Sequence, residues 1–288
     1  YLASIVMAGG ALRRLASEEQ KARWLQPLIE GGIGALAFSE PQSRYRLNDV
    51  QLMASRDSDH YLLNGRKAVV LAGDYADTLV VSARTSGSAT DEAGISLFVL
   101  DASSEGIRRN GYPTVDGHRA AEIEFSAVSV PANQRLGAEG EALAVLRQVI
   151  DEATLAVCAE AVGIMQTLHD KTLEYTRSRV QFGRPIASFQ ALQHRMVDTF
   201  MACEQTRSLL FWATMTAVDE GSEASAQAIS ALKYQVGTAG RRVGEEAVQI
   251  HGGMGVTWEL DVAHYFKRLT AINMLFGNAD YHLGRIEI

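Results

Sequence analysis

One long stretch, from about Val145 to Gly183, limits what this chain can fold into. It contains no proline and one interior glycine, Gly163, and it is apolar almost all round between Ala153 and Met165. A helix of just over thirty residues is already roughly 45–50 Å long. A helix that is apolar on all sides must be buried among other helices. The stretch therefore predicts a helical bundle built around one long central helix.

The end of this stretch has an unusual composition. Arg179, Val180, Gln181, Phe182 and Gly183 follow the apolar part, and Pro185 comes two residues later. A cation, an aromatic ring and a free backbone turn at a helix C-terminus favour contact with an anion or a nucleotide. An ordinary arginine facing the helix dipole would give the same pattern at Arg179 alone.

The composition excludes several classes of protein. The chain has 288 residues, 47% of them hydrophobic, and a net charge of −7, which suits two globular domains. An acidic chain without Lys/Arg tracts argues against nucleic acid as a partner. It shows no apolar run of membrane-spanning length, and we expect no signal peptide. Cys158 and Cys203 lack metal-ligand spacing and are expected to be core residues in a reducing, cytoplasmic setting. Because Tyr1 lies inside an apolar run, we expect an N-terminal portion to be missing.

The pattern changes twice along the chain, which predicts three parts. Residues 1–33 are expected to be helical, with a capping box that begins at Ser17. Residues 34–137 show alternation and turns, and Asn64-Gly65 is the strongest hairpin-turn signal. The predicted strands are 35–38, 50–55, 61–63, 67–71, 78–83, 95–100, 122–125 and 128–131.

Residues 138–288 return to a helical pattern. After the long helix, we expect one helix from Ser188 to about Asp219, ended by Gly221. The next begins at Ser222 or Ser225 and ends at His251 before two glycines, and the last runs from Asp261 to the end. Long helices with short connections predict an antiparallel four-helix bundle. The predicted fold class is α+β.

Several motifs in this order resemble the acyl-CoA dehydrogenase family. They are 37–41 (AFSEP), 61–67 (YLLNGRK), 128–131 (VSVP), 136–137 (LG), 179–190 (RVQFGRPIASFQ) and 249–255 (QIHGGMG). The resemblance implies N-terminal helices (incomplete here), a central antiparallel β domain and a C-terminal four-helix bundle. It also implies bound FAD, oxidation of an acyl-CoA thioester between Cα and Cβ, and electron transfer to an electron-transfer flavoprotein.

Within the family, four stretches are most similar to the small subunits of two-chain pimeloyl-CoA dehydrogenases. They are 40–45, 189–196, 265–270 and 275–280. Family members form a dimer of dimers, so a tetramer is expected. The apolar runs Leu209–Ala213 and Ile229–Leu232 point the same way, because they leave these helices little polar face.

The resemblance also assigns the cofactor contacts. Phe38 and Ser39 match positions along the flavin ring, and Val69 and Leu71 match the strand that covers its other part. The family usually has Trp and a hydroxyl residue at the latter two, so the aliphatic pair can cover the ring without hydrogen-bonding to it. The positions that hold the adenine and pyrophosphate of the neighbouring subunit's FAD are Arg179, Phe182, Gln190, Gln249, Ile250, Gly252 and Gly253.

The catalytic base is missing from both places where the family has a glutamate. Those positions are Gly277 and Ala153 in this chain. Asp280 is the nearest substitute, whereas Glu160 lies ~10 Å further along the long helix than Ala153. Three interpretations stay open: a subunit of a two-chain enzyme whose other chain carries the base, a self-sufficient homo-oligomer that uses Asp280 or a residue of the missing N-terminal part, and a structural or regulatory subunit that lacks flavin.

Overall fold

A computed structural model describes residues 1–218 and 223–286. The chain divides into two compact units, Tyr1–Ala153 and Thr154–Ile288. The boundary falls inside the long helix, which contributes its first turns to one unit and the rest to the other. The predicted division into 1–33, 34–137 and 138–288 stays a prediction.

The first unit begins with short helical segments, as the sequence predicts. Its α-helical segments are α1 (Gly10–Leu15), α2 (Glu18–Gln20) and α3 (Gln26–Ile29), and the stretches Leu2–Gly9 and Lys21–Leu25 are π-helical. The predicted capping box forms: the Gln20 backbone N–H donates to Ser17 Oγ (3.2 Å), and the Ser17 N–H donates to Gln20 Oε1 (2.9 Å). These reciprocal bonds satisfy two backbone donors at the start of α2.

The remainder of this unit is an eight-stranded sheet in the order β6-β7-β3-β2-β4-β5-β8, with β1 paired to β4. The pairing is antiparallel except where β1 and β2 meet β4. The strands are β1 (Gly34–Ala37), β2 (Met53–Asp57), β3 (His60–Leu71), β4 (Thr78–Arg84), β5 (Ile95–Asp101), β6 (Ile107–Pro113), β7 (Arg119–Pro131) and β8 (Arg135–Leu136). β4 and β5 are buried on both faces for nearly their whole length, which explains the apolar runs Leu79–Val81 and Leu97–Leu100 in their middles.

The predicted hairpin turn at Asn64-Gly65 is wrong. Both residues lie inside the continuous strand β3, at a register shift in its pairing with β7. Gly65 has φ +144°, and a Cβ there would lie 2.8 Å from the Leu52 backbone, so this glycine permits a bulge and a close approach rather than a turn. The Asn64 side chain accepts a hydrogen bond from the Ala127 N–H of β7 (2.8 Å).

The second unit is helical, apart from a two-stranded hairpin. Its elements are α4 (Leu143–Ser178, shared with the first unit), β9 (Val180–Gln181), β10 (Arg184–Pro185), α5 (Gln190–Thr216), α6 (Glu223–His251), α7 (Val262–Met274) and α8 (Ala279–Ile286). The predicted helix stop at Gly221 and start at Ser222 lie outside the described residues. Cys158 and Cys203 are free and buried, as expected.

The last predicted helix differs in one respect that matters for the site. It is broken between Met274 and Ala279, where a turn containing Gly277 separates α7 from α8.

Within the described ranges, no helix is both long and apolar enough to cross a membrane.

Candidate active site

The segment that follows β1 carries the first pair of predicted cofactor residues. Phe38 and Ser39 are half-buried, and Glu40 beside them is buried. The Ser39 carbonyl accepts a hydrogen bond from the Ala68 N–H of β3 (2.9 Å). The segment is thereby fixed against the strand that carries Val69 and Leu71, so the structure brings these four predicted residues to one part of the first unit.

A buried ion pair lies behind this segment. Lys67 Nζ donates to Glu40 Oε1 (2.7 Å), to Ser82 Oγ (3.0 Å) and to the Phe38 carbonyl (3.4 Å). Burial lowers the pKa of the Lys67 ammonium to about 8, against the opposing effect of Glu40. Burial would raise the pKa of the Glu40 carboxyl, but Lys67 and further hydrogen bonds lower it below its ordinary value. Both groups are therefore charged at neutral pH.

Val69 occupies a strained position in β3. It has φ +52°, and a register shift between Lys67 and Val70 marks a bulge there. A β-branched residue at positive φ is a genuine outlier, and such strain costs about 1–3 kcal/mol. The bulge leaves the Val69 side chain 51% exposed, while Leu71 is half-buried. Both residues offer an apolar surface and no hydrogen-bonding group.

The hairpin after α4 presents the second group of predicted residues to solvent. Phe182 (φ +55°) and Gly183 (φ +77°) form its two-residue turn, which has the positive φ angles of a type I′ turn. Phe182 is 91% exposed. Arg179 is also exposed, and its guanidinium makes no hydrogen bond or ion pair among the described residues. The sequence predicts a helix end here, and the structure replaces it with a projecting hairpin.

The end of α6 meets the end of α4 through a residue that the sequence did not single out. Tyr175 stacks on His251 with ring centroids 4.3 Å apart, and its hydroxyl donates to the His251 carbonyl (3.4 Å). Arg179 follows Tyr175 by one helical turn, so Arg179 and the predicted pair Gly252-Gly253 occur in one region of the second unit. Gly252 has φ +62°, and both glycines are exposed with nothing near their Cβ positions. Gln249 and Gln190 are exposed too, whereas Ile250 is buried.

Neither of the two positions where the resemblance implies a catalytic base has room for a carboxylate side chain. Ala153 is completely buried in α4. Gly277 is buried in the turn between α7 and α8 with φ +120°, a conformation open essentially to glycine alone. A Cβ at Gly277 would overlap the Tyr281 ring and lie 2.7 Å from His282 Nε2. The turn cannot carry a side chain in this conformation.

Two buried residues hold that turn. Lys233 Nζ donates to the carbonyls of Gly277 (2.6 Å) and Asn273 (3.1 Å), and His282 Nε2 lies 3.1 Å from the Phe276 carbonyl. No carboxylate pairs with Lys233 within the described part of the chain. Burial lowers the pKa of Lys233 to about 8 and that of His282 to about 3, so the His282 ring is neutral. Lys233, which directly follows the apolar run Ile229–Leu232, was a signal available from the sequence.

The nearby acidic residues are engaged elsewhere or point to solvent. Glu160 forms a two-pronged ion pair with Arg268 (2.6 and 2.7 Å), and Glu152 pairs with Arg14 (3.0 Å). Asp280 lies exposed in the first turn of α8, with no hydrogen bond or ion pair among the described residues. Asp280 is thus the one unengaged carboxylate of these three.

The residues present fit a flavin dinucleotide in chemistry. An exposed ring and a guanidinium without a protein partner suit an adenine and a phosphate. The open glycine backbone at the end of α6 lets N–H groups approach an anion. Phe38, Ser39 and Val69 offer an apolar surface with backbone polar groups for the ring system. Leu71 cannot donate a hydrogen bond to the ring system, because its side chain is aliphatic.

Comparison with known proteins agrees with this chemistry. The acyl-CoA dehydrogenase middle-domain profile matches residues 35–128, and the C-terminal-domain profile matches residues 140–287. The short-chain specific acyl-CoA dehydrogenase of Megasphaera elsdenii is 31% identical over 270 residues, which cover 92% of this chain and 70% of that protein. The caffeyl-CoA reductase-Etf complex subunit CarC of Acetobacterium woodii is also 31% identical, over 91% of this chain and 69% of that protein.

A solved structure shows the same fold. The butyryl-CoA dehydrogenase of Megasphaera elsdenii superimposes with a TM-score of 0.92 at 29% identity, and the match covers 99% of this chain and 75% of that one. The chain belongs to the acyl-CoA dehydrogenase family, whose members are FAD-dependent enzymes. The family resemblance and the α+β fold class predicted from the sequence are confirmed.

Proposed function

We propose that this chain is a subunit of a two-chain, FAD-dependent acyl-CoA dehydrogenase and that a sister chain carries the catalytic base. The finer likeness to the small subunits of pimeloyl-CoA dehydrogenases belongs to the same proposal. The observation that carries it is the Gly277 turn: the position that should hold a carboxylate has a glycine-only backbone, and its Cβ space is filled. Ala153 is completely buried and has no group that can accept a proton.

The remaining residues support a retained cofactor role. FAD would supply the two-electron acceptor for oxidation of the thioester between Cα and Cβ. Phe38, Ser39 and Val69 would hold its ring system. Arg179 and Phe182, at the start and the turn of the hairpin, would hold the pyrophosphate and adenine of the FAD of a neighbouring chain. Both residues are exposed, and the Phe182 ring keeps one edge-to-face contact, with Phe189 (centroids 6.1 Å apart). Acyl-CoA as substrate and an electron-transfer flavoprotein as acceptor are part of the proposal, and the A. woodii relative is named as part of an Etf complex.

Assembly with a second chain is supported by an exposed apolar stripe on α5. Its members are 48–76% exposed and recur at helical spacing: Val197, Phe200, Met201, Phe211, Trp212 and Met215. A stripe of this kind on a soluble enzyme favours a subunit interface. We propose a tetramer that contains this chain and its sister chain.

The direct test compares the purified chain alone with the same chain produced together with the product of a neighbouring gene. We expect α-proton exchange of a thioester substrate and its oxidation only in the mixed preparation. Equal activity of both preparations would contradict the two-chain proposal. The chain alone should still bind FAD, since its cofactor residues do not depend on the base.

Asp280 defines the competing function, a self-sufficient homo-oligomer. It is exposed and unengaged three residues after Gly277. If Asp280 were the base, Asp280→Asn would abolish α-proton exchange and leave the flavin spectrum intact. Our proposal predicts that this variant, assembled with the sister chain, exchanges α-protons at the wild-type rate. The measurement is deuterium incorporation at Cα, followed by NMR.

A further inference from the structure

We propose that Lys67 and Glu40 are positioning residues that hold the two cofactor-facing segments of the first unit, residues 38–39 and 68–69, in one fixed arrangement for tight FAD binding. This inference rests on the proposed function, because it takes FAD to bind at these segments. Neither side chain can touch the cofactor directly, since Lys67 is 0% and Glu40 2% exposed. Their effect must pass through the segments that they hold.

Lys67 links three elements through one atom. Its ammonium has three protons, and the structure supplies three acceptors: the Phe38 carbonyl after β1, the Glu40 carboxylate and the Ser82 hydroxyl of β4. Because Lys67 belongs to β3 and Ser82 to β4, the Lys67 side chain connects the Phe38 backbone to both of these strands. A displacement of Phe38 would leave a buried ammonium proton without a partner, which is costly.

Glu40 extends the same network on its other side. Its two oxygens accept from the backbone N–H groups of Gln51 (2.8 Å) and Leu52 (3.1 Å) and from the Gln42 amide (2.9 Å). A carboxylate with this many donors is fixed in position as well as in charge. Glu40 therefore holds the backbone that follows Ser39 both to Lys67 and to residues 51–52.

The strain in β3 lies beside this network. Val69, two residues after Lys67, has φ +52°, while Ala68 between them donates its N–H to the Ser39 carbonyl. Strained backbone persists only where the surrounding structure over-determines it. The Lys67–Glu40 pair and the Ala68 bond supply that constraint. The exposure of the Val69 side chain is the consequence.

The test measures FAD binding to the purified chain after removal of its flavin. The double variant Lys67→Met/Glu40→Gln removes both charges, so that neither ion is left buried and unpaired. We expect its FAD dissociation constant, from quenching of flavin fluorescence, to rise at least tenfold, with a changed visible flavin spectrum. Ser82→Ala removes one acceptor only and should raise the constant by about threefold without loss of folding.

Tyr61→Phe is the matched control. It lies on the same strand β3, is buried, and loses a hydrogen bond to Glu139 (2.7 Å) that is unconnected with Phe38. Its FAD affinity should stay within about twofold of the wild type. FAD binding and spectrum unchanged in the folded double variant and in Ser82→Ala would refute the inference alone. Failure of the wild-type chain to bind FAD would refute the proposed function and the inference together.

Discussion

Substitution at Gly277 gives the sharpest test of whether the base position is closed or only empty. If the turn were merely lacking a side chain, Gly277→Glu would place a carboxylate at a position where the family resemblance implies one. The structure predicts the opposite. Gly277 has φ +120°, and a Cβ would overlap Tyr281 and press on His282.

The loss in free energy of unfolding can be estimated from these contacts, first for Gly277→Ala. Forcing a side chain into a glycine-only backbone conformation costs about 1–3 kcal/mol. Overpacking against Tyr281 and His282 costs a similar amount. Reduced entropy of the unfolded chain offsets about 0.4–1 kcal/mol. We therefore expect Gly277→Ala to lower the free energy of unfolding by about 2–4 kcal/mol, and Gly277→Glu by at least as much.

The control is Gly284→Ala in the neighbouring helix α8. Gly284 is exposed, its φ is not positive, and nothing lies within 4 Å of its Cβ position. Replacing an exposed helical glycine by alanine stabilises by about 0.5–1 kcal/mol. The same chemical change should therefore have opposite signs at two positions seven residues apart.

The assay is urea unfolding at equal protein concentration, with α-proton exchange measured on the folded Gly277→Glu protein. We expect no exchange above the wild-type level, because the new carboxylate can be placed only by breaking the turn. Unchanged stability of Gly277→Ala would refute the conformational argument. Restored exchange in Gly277→Glu would show that the site is empty rather than closed.

Three further predictions concern other parts of the molecule. Phe182→Ala should leave the free energy of unfolding within about 0.5 kcal/mol of the wild type, because the ring is exposed, yet lower FAD retention of the assembled enzyme at least tenfold by flavin absorbance. Phe211→Glu should reduce the apparent mass in size-exclusion chromatography, whereas a monomeric wild type at micromolar concentration would contradict the proposed tetramer. The pKa of Lys233 is lowered by burial to about 8, below its unfolded value, so the unfolded state binds more protons above pH 8. Stability of the wild type relative to Lys233→Met should therefore rise between about pH 8 and pH 10.5, and a flat difference would contradict a buried ammonium there.

Much of the fold follows from local pattern, and one error shows where local pattern fails. Strands β4 and β5 were predictable because each has an apolar middle, Leu79–Val81 and Leu97–Leu100, that is buried on both faces. Asn64-Gly65 has the composition of a hairpin turn, but β7 pairs with β3 on both sides of it and keeps the strand continuous. The glycine is needed instead for the close approach of Leu52. Tertiary pairing here overrides turn chemistry.

The candidate site could be predicted only as a set of positions. The family motifs predict Phe38, Ser39 and Phe182 as cofactor residues, and the sequence has Ala153 and Gly277 at the two positions where the resemblance implies a glutamate. The geometry of the site could not be predicted, because it depends on hydrogen-bond partners that are far apart in the sequence. Lys233 holds a turn 44 residues away, and Lys67 holds a carbonyl 29 residues before it. Neither pairing leaves a periodic signal.

The two buried lysines bear on the choice between an enzyme subunit and a structural one. Each donates to a backbone carbonyl of a segment that it holds in place, but the two segments differ in what they expose. Lys67 fixes a segment beside a strained, half-exposed Val69, and that strain costs about 1–3 kcal/mol that a purely structural subunit has no need to carry. Lys233 fixes the turn at Gly277, which is buried and offers no side chain to a substrate. We infer that the cofactor-binding part of the site is maintained while the base position is closed, a combination that favours a flavin-containing subunit dependent on its sister chain over a colourless structural one.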